Sequence, residues 1–553
     1  LKNQEHAGSE LLAYGALEAG VQFVSGYPGS PATATVEALL RLDGRRTRIE
    51  WAINEKSAFD AALGASLAGV RSLVCLKSVG LNVALDSLMV ANLAAGDGGL
   101  VVLAGDDPGG WGSQNEEDSR LLAAAAEVPL LEPTSVDDAR MTMRLAFDLS
   151  ERHALLVVVR VTRALSLDRS AQSIPRSVEA SQRPASFRRQ PGRFNVLPVH
   201  VVDFHRQLQA RLGRVQAEFE QVALNAERDE GSAGGAAGGS LGIIAAGHAA
   251  HKLAEVLAKS GGPPLRCLLL GTLYPLPEKR VLAFLQRLDA VLVLEETAPY
   301  VETGVQALAQ RHGWMLPIHG RSNGRVPGAG ELFAPQIVDA LAGLLPNWDW
   351  PSFGPAGRKM PSRQSLCENC PYVGTFEALL AVMERHGGRD AFVVTGETGC
   401  MVRAQLPPWE LLDVKYGMGA SIGLATGLAR AGIDQKIVAL SGDSALLHSG
   451  LGELVDAAQA GLGLLVVVLA NETTALSGGQ PHPATAHDTR GRPRQAVDLL
   501  ALVRATGADS VQVVDPEDAQ ATQAAFEAGL ASGRLAVVVA RRACPKWEGE
   551  SPR

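Results

Sequence analysis

The stretch Lys436–Asn471, KIVALSGDSALLHSGLGELVDAAQAGLGLLVVVLAN, decides the fold. It opens on the aliphatic run KIVALS, which has the length of a strand. The run breaks at Gly442-Asp443-Ser444, and the Ala- and Leu-rich segment that follows reads as a helix. A second run, LLVVVLA, ends at Asn471. Runs this apolar belong to strands buried on both faces, and strand–helix–strand order makes the two parallel. Asp443 and Asn471, 28 positions apart, then stand at the carboxyl ends of two parallel strands. Open α/β sheets hold their ligands at that edge.

The same grammar spreads in both directions. Further strands are expected at Phe392–Gly396, Val511–Val514 and Leu535–Ala540. A block nearer the start carries strands at Val21–Ser25, Ser72–Lys77, Leu100–Gly105 and Leu155–Val161, with helices at Thr33–Leu42 and Glu55–Gly69. From Thr162 to about His200 the pattern breaks into Arg, Gln, Ser and Pro, as in a linker. A polar helix is expected over His205–Arg228, then a flexible Gly/Ala run at Gly231–Ser240. A middle block follows, with strands from Leu241 and at Leu265–Leu270 and Ala290–Glu295. A Pro- and Arg-rich link, Pro346–Gln364, leads to the last block. The expectation is an α/β protein of three domains with mostly parallel sheets, at 1–190, 191–346 and 347–553.

Composition removes other classes. At 553 residues the chain is long enough for three or four domains, and six cysteines are too few for a disulfide framework. A net charge of −8 argues against a nucleic-acid or anionic-membrane partner. The longest apolar stretches, such as Leu462–Ala470, run about ten residues, short of the ~20 that a membrane helix needs. Lys2, Asn3, Gln4 and Glu5 stand where a signal peptide would place apolar residues. A cytoplasmic location is the expectation.

A carboxylate and an amide oxygen at one sheet edge suit Mg²⁺, which takes hard oxygens and leaves positions for phosphate. Gly442 lets the backbone approach a diphosphate, and the following helix N-terminus favours its charge. An ordinary βα turn with a loop Asn is the bland alternative. A Gly-Asp turn with a strand-ending Asn at this distance resembles the thiamine diphosphate motif.

Gly442–Gly450, Asn471-Glu472-Thr473-Thr474-Ala475 and Gln480-Pro481-His482-Pro483 closely resemble the α subunit of indolepyruvate:ferredoxin oxidoreductase. The resemblance continues at Gly26-Tyr27-Pro28-Gly29-Ser30-Pro31, Glu50–Lys56, Val79-Gly80-Leu81-Asn82, Gly105-Asp106-Asp107-Pro108 and Ser113-Gln114-Asn115-Glu116. The middle block adds Glu295-Glu296, Pro299 and Glu302. The agreement covers nearly the whole chain, in the family's order.

The resemblance implies two thiamine-diphosphate-binding-type folds, a pyrimidine-binding one at 1–190 and a diphosphate-binding one at 347–553, with a transketolase-C-terminal-like domain between them. It implies Glu55 as the catalytic carboxylate at the cofactor's aminopyrimidine. The bland reading of Glu55 is a helix-start acid favoured by the dipole. Asp443, Asn471 and a carbonyl near Thr473 become Mg²⁺ ligands. Gly417, Gly442, Ser444 and Thr474 fall to cofactor binding, and Met418 to the apolar wedge under it. Tyr27, Pro28 and Ser30 are placed to face cofactor and substrate carboxylate; alternatively Ser30 caps a helix that Pro31 begins.

Four cysteines lie in or beside the last block: Cys367-x-x-Cys370, Cys400 and Cys544. Four thiolates suit a [4Fe–4S] cluster or a structural zinc. The resemblance implies the cluster, since Gly399-Cys400 and Cys544 fall where the related oxidoreductases place their later ligands. Cys75 and Cys267, inside apolar strands, read as core thiols. The implied activity is oxidative decarboxylation of an aryl- or branched-chain 2-oxoacid to acyl-CoA, with coenzyme A as co-substrate and electrons leaving through one [4Fe–4S] cluster. With zinc instead, the chain would be a non-redox decarboxylase or carboligase. A second β/γ-type subunit, ferredoxin or another electron acceptor, and a dimer of heterodimers are the partners implied. The family usually continues into a ferredoxin-like domain, and no cysteines for one follow Cys544. It also has His where Ser78, Tyr372 and Gly479 stand, and Asp at Glu397. Cofactor positions are kept, therefore, while substrate positions are altered.

Overall fold

A computed structural model of the chain describes residues 5–43, 46–94, 96–174, 183–190, 192–230, 241–260, 265–357 and 366–547. The chain divides into two compact units, residues 1–49 with 55–360, and residues 50–54 with 361–553.

The second unit holds a six-stranded sheet. Its order is Val414–Lys415, Phe392–Gly396, Lys436–Gly442, Leu465–Ala470, Ala536–Arg541, Ser510–Val514, and every pair is parallel. Alternation along the strands feeds two cores. Val467 and Leu469 face one, with Phe376, Leu379 and Phe526. Val466 and Val468 face the other, with Ile422, Leu446 and Leu454. Both faces are covered, as the unbroken apolar runs require. The helix Leu451–Ala460 ends at Gly461, whose φ of +63° is the left-handed cap that a glycine takes without strain.

The first unit holds a seven-stranded and a five-stranded sheet. One orders Thr272–Tyr274, Leu130–Leu131, Val157–Thr162, Leu100–Asp106, Ser72–Lys77, Phe23–Gly26 and Arg48–Trp51. Its central pairs are parallel, and Thr272–Tyr274 joins Leu130–Leu131 antiparallel. The other orders Ile318–His319, Ala290–Leu294, Leu241–Ala246, Leu265–Leu270 and Ala226–Glu230, the last strand antiparallel. The mostly parallel α/β class is therefore as expected.

A fully buried ion-pair chain joins the two sheets within this unit. Arg160 meets Asp106 at 2.6 Å and Glu132 at 2.7 Å. Arg120 meets Asp118 at 2.6 Å and Glu295 at 2.7 Å. Asp118 also accepts the Ala298 backbone N–H at 2.9 Å, and Glu295 accepts those of Val301 and Glu302. Each buried charge is thus paired and hydrogen-bonded, the condition under which burial is tolerated.

Three local expectations are corrected. The helix expected at His205–Arg228 runs Pro198–Phe219, beginning on a proline at its first position. Its expected tail belongs instead to the strand Ala226–Glu230, recruited by Leu265–Leu270. Pro31 is not helical: the helix is Ala32–Leu42, no side chain caps it, and Thr33 Oγ1 accepts the Gly29 N–H at 2.7 Å. Ser30 is therefore not its cap. The run Gly231–Ser240 and residues 358–364 of the expected link lie outside the described residues. Among the described residues no helix is long and apolar enough to cross a membrane.

Candidate active site

In the second unit Gly442 and Leu469 pair across adjacent strands, so Asp443 and Asn471 emerge at one end of the sheet. Both are buried. Asp443 Oδ1 accepts the Ser444 N–H at 2.8 Å, and Oδ2 accepts the Glu472 N–H at 2.7 Å. The carboxylate thus grips the backbone just after Asn471. Asn471 Oδ1 in turn accepts the Thr473 N–H at 3.3 Å. Ser444 and Thr474 hydroxyls meet at 3.1 Å, and Thr474 N–H reaches Gln480 O at 2.9 Å. His482 lies 3.3 Å from Asp443 Oδ2, with its Nε2 buried and no hydrogen-bond partner. Two hard oxygens on adjacent strand ends, beside a buried polar atom left open, fit a hydrated Mg²⁺ carrying a diphosphate.

The run Leu446–Gly450 forms a π-helical turn after the Gly-Asp motif, a distortion that recurs at functional sites. His448 O there accepts from Asn54 Nδ2 at 3.0 Å. Ser449 Oγ donates to Met418 O at 3.1 Å, which fixes the Gly417–Met418 loop. Gly419 has φ +82°, and a Cβ on it would lie 1.9 Å from Ser449 Oγ.

Sequence reading gave no role to Glu397. Its carboxylate is fully buried, and Oε1 accepts from Ser441 Oγ at 2.7 Å and Gly442 N–H at 3.0 Å. Burial pushes its pKa up to about 7, against those two donors.

The four cysteines come together. Cys367, Cys370, Cys400 and Cys544 line one cavity with Asn471, Leu476, Arg403 and Lys546. The Cys544 N–H donates to Asn471 O at 3.1 Å, so the last cysteine is tied to the residue at the diphosphate end. Burial raises the Cys370 thiol to about 11 and Cys400 to about 12, and raises Cys544 as well. Among the described residues, the groups of three or more ligand atoms within 4.8 Å of one another do not include these sulfurs. Arg403 and Lys546 were missed, although each follows a cysteine within three positions. Cys75 and Cys267 are buried core thiols, as read.

Two of the positions read as departures from the family are tightly packed. Tyr372 is buried and its hydroxyl donates to Leu469 O at 3.3 Å. Gly479 has φ +77°, and a Cβ on it would lie 2.4 Å from the Trp547 ring. Trp547 fills the room that a side chain at 479 would need.

In the first unit Glu55 is buried at the start of the helix Glu55–Leu67. A Cβ on Gly80 would lie 2.6 Å from Glu55 Cγ, which accounts for the glycine in Val79-Gly80-Leu81. Tyr27 is buried at the end of the strand Phe23–Gly26, while Pro28 and Ser30 are more open. Ser78 is buried at the start of the helix Ser78–Ala91. Asn82 donates to Glu117 at 3.1 Å, and Asp107 accepts from Gly112 N–H and Ser113 Oγ at 2.7 Å each.

Residues 14–192 match the family described as pyruvate flavodoxin/ferredoxin oxidoreductase, thiamine diphosphate-binding. Residues 397–540 match the C-terminal thiamine pyrophosphate-binding domain of thiamine pyrophosphate enzymes. Indolepyruvate oxidoreductase subunit IorA of Pyrococcus abyssi is 34% identical over 563 residues, covering 97% of this chain and 85% of the relative. The subunit of the same name from Thermococcus kodakarensis is 33% identical over 569 residues, 98% of this chain and 86% of the relative. The 2-oxoglutarate:ferredoxin oxidoreductase from Magnetococcus marinus shares the fold. It has a TM-score of 0.50 at 18% identity, over 62% of this chain and 65% of that one.

Proposed function

The chain belongs to the indolepyruvate oxidoreductase subunit IorA family, α subunits of thiamine-dependent 2-oxoacid:ferredoxin oxidoreductases, and on that premise we propose that it acts on an aryl- or branched-chain 2-oxoacid. The overall change is 2-oxoacid, coenzyme A and two oxidised one-electron acceptors to acyl-CoA, CO₂, two reduced acceptors and a proton. A partial relative, the ketoisovalerate oxidoreductase subunit VorA of Methanothermobacter thermautotrophicus, 27% identical over 129 residues, supports including branched-chain acids. Bound thiamine diphosphate supplies the electron sink for loss of CO₂. Glu55 holds and returns a proton at the aminopyrimidine. Asp443, Asn471 and a carbonyl near Thr473 hold Mg²⁺. In the second unit Gly442, Ser444 and Thr474 would bind the diphosphate, and Gly417 and Met418 would contact the cofactor's ring; in the first unit Tyr27, Pro28 and Ser30 would serve cofactor and substrate carboxylate. The domain boundaries proposed are 1–190, 191–346 and 347–553.

Cys367, Cys370, Cys400 and Cys544 hold one [4Fe–4S] cluster, which supplies one-electron acceptance. The single observation that carries this reading is the shared cavity, in which Cys544 is hydrogen-bonded to Asn471. Zinc would draw its four sulfurs to about 3.8 Å from one another at Zn–S of about 2.3 Å. The raised thiol values mean that assembly must release protons. Electrons then pass to ferredoxin or a similar carrier, with a second β/γ-type subunit in a cytoplasmic dimer of heterodimers.

The test is elemental and spectroscopic analysis of anaerobically purified protein. About four irons and four sulfides per chain, with an electron-paramagnetic-resonance signal on reduction, are expected. A colourless protein holding one zinc at the cysteines, and releasing aldehyde without coenzyme A or acceptor, would overturn the redox reading.

A further inference from the structure

A second set of metal-ligating side chains lies in the first unit, within the described residues and apart from the cysteines. Asp168 follows the short helix Arg163–Leu167, which leads out of the last parallel strand of the seven-stranded sheet. His248 and His251 open the helix Ala249–Ser260, just after the first central strand of the five-stranded sheet. Asp168 Oδ2 lies 2.7 Å from His248 Nε2 and 3.9 Å from His251 Nε2. The imidazoles are stacked, with centroids 5.4 Å apart and planes 17° from parallel. Two Nε2 atoms therefore converge on one carboxylate oxygen. These three are the ligand group whose donor atoms all lie within 4.8 Å of one another.

Hydrogen bonding accounts for half of this arrangement. Asp168 hydrogen-bonds His248 at 2.7 Å, and the 3.9 Å separation leaves His251 outside hydrogen-bond range. A cation bound by both Nε2 atoms and the carboxylate would use all three converging groups. We propose that Asp168, His248 and His251 form a binding site for a divalent transition metal of the zinc class, with no part in the thiamine chemistry.

The surroundings suit it. The His248 backbone N–H donates to Glu132 Oε1 at 3.2 Å, and Glu132 is itself held by Arg160. That buried ligand is thus fixed by the ion-pair chain. Gly247, at φ +54°, makes the turn, and a Cβ there would lie 2.0 Å from Glu132 Cδ. His251 and Asp168 are 31% and 37% exposed, which leaves the metal a way in. Glu255 Oε1 stands 3.8 Å from His251 Nε2, one turn along the helix, and would supply a fourth ligand on rotation. Lys252, on the same turn, is neutralised by Glu296 at 2.7 Å and Glu331 at 3.3 Å. Two nitrogens with one or two carboxylate oxygens are a zinc-type ligand set, and zinc sites of that kind keep a position for water.

The site is tested on full-length protein with its iron, magnesium and thiamine diphosphate in place, dialysed against micromolar Zn²⁺. Wild type should retain one zinc per chain more than His251→Ala, and zinc should raise the melting temperature of wild type alone. His251→Ala leaves the Asp168–His248 pair intact, and turnover should not change. His251→Gln keeps the bulk of the ring and serves if the alanine variant folds poorly. Zinc lodged at the cysteines adds equally to every variant, so the difference isolates this site. Equal zinc contents in wild type and both variants would overturn the proposal.

Discussion

Glu55 owes its position to an absent methyl group. A Cβ on Gly80 would overlap both Glu55 Cγ and Oε1, at 2.6 and 2.7 Å, so Gly80→Ala must displace the carboxylate. Turnover should fall at least tenfold in Gly80→Ala and be abolished in Glu55→Ala, while both variants still bind thiamine diphosphate through the diphosphate side; steady-state rates and cofactor content check this. Glu397 is a pH-sensitive residue of the other unit. Its folded pKa, about 7, lies above the ordinary 4.5, so the folded chain holds a proton that the unfolded chain has released. The associated stabilisation is complete below about pH 4.5 and is lost as pH rises through about 7. Relative to wild type, Glu397→Gln should gain about 1–3 kcal/mol between pH 5 and 8, read as a rising difference in urea midpoints. A flat difference would mean that the carboxyl titrates normally.

Among elements, strands were legible where burial on both faces writes itself as an unbroken aliphatic run. Ser72–Lys77, Leu265–Leu270 and Phe392–Gly396 appear at their expected bounds. The strand Ala226–Glu230 was not legible, because AERDE has helix-forming composition and becomes a strand only through pairing with Leu265–Leu270. The start of the helix Pro198–Phe219 was missed because its first turns are exposed and carry no periodic core face until Leu208. The motif residues of the site were readable individually. Their meeting was implied by the resemblance and not by the spacing: Cys544 reaches Asn471 because the strand Ala536–Arg541 lies beside Leu465–Ala470, and strand order is not written in spacing. The Trp547–Gly479 contact is likewise a tertiary fact.

At the scale of the whole molecule, the buried charges carry the organisation of the first unit. Despite the cost of burial, Arg120 holds the Asp118 carboxyl well below the usual range, whereas burial pushes Asp106 up to about 6 even beside Arg160. Removing one member strands its partners. Arg120→Met should cost about 3–5 kcal/mol by leaving Asp118 and Glu295 uncompensated, and the double variant with Glu295→Gln should recover part of it; chemical denaturation reads both. Equal stability in Arg120→Met would mean that water reaches the network. The strand Thr272–Tyr274 adds a consequence in time. It covers the edge strand Leu130–Leu131, so vectorial synthesis leaves that edge open for about 140 residues of growth. At about 5–20 residues per second, Leu130–Leu131 waits on the order of ten seconds or more on the ribosome for its neighbour, a window in which a chaperone or a neighbouring nascent chain can reach it first.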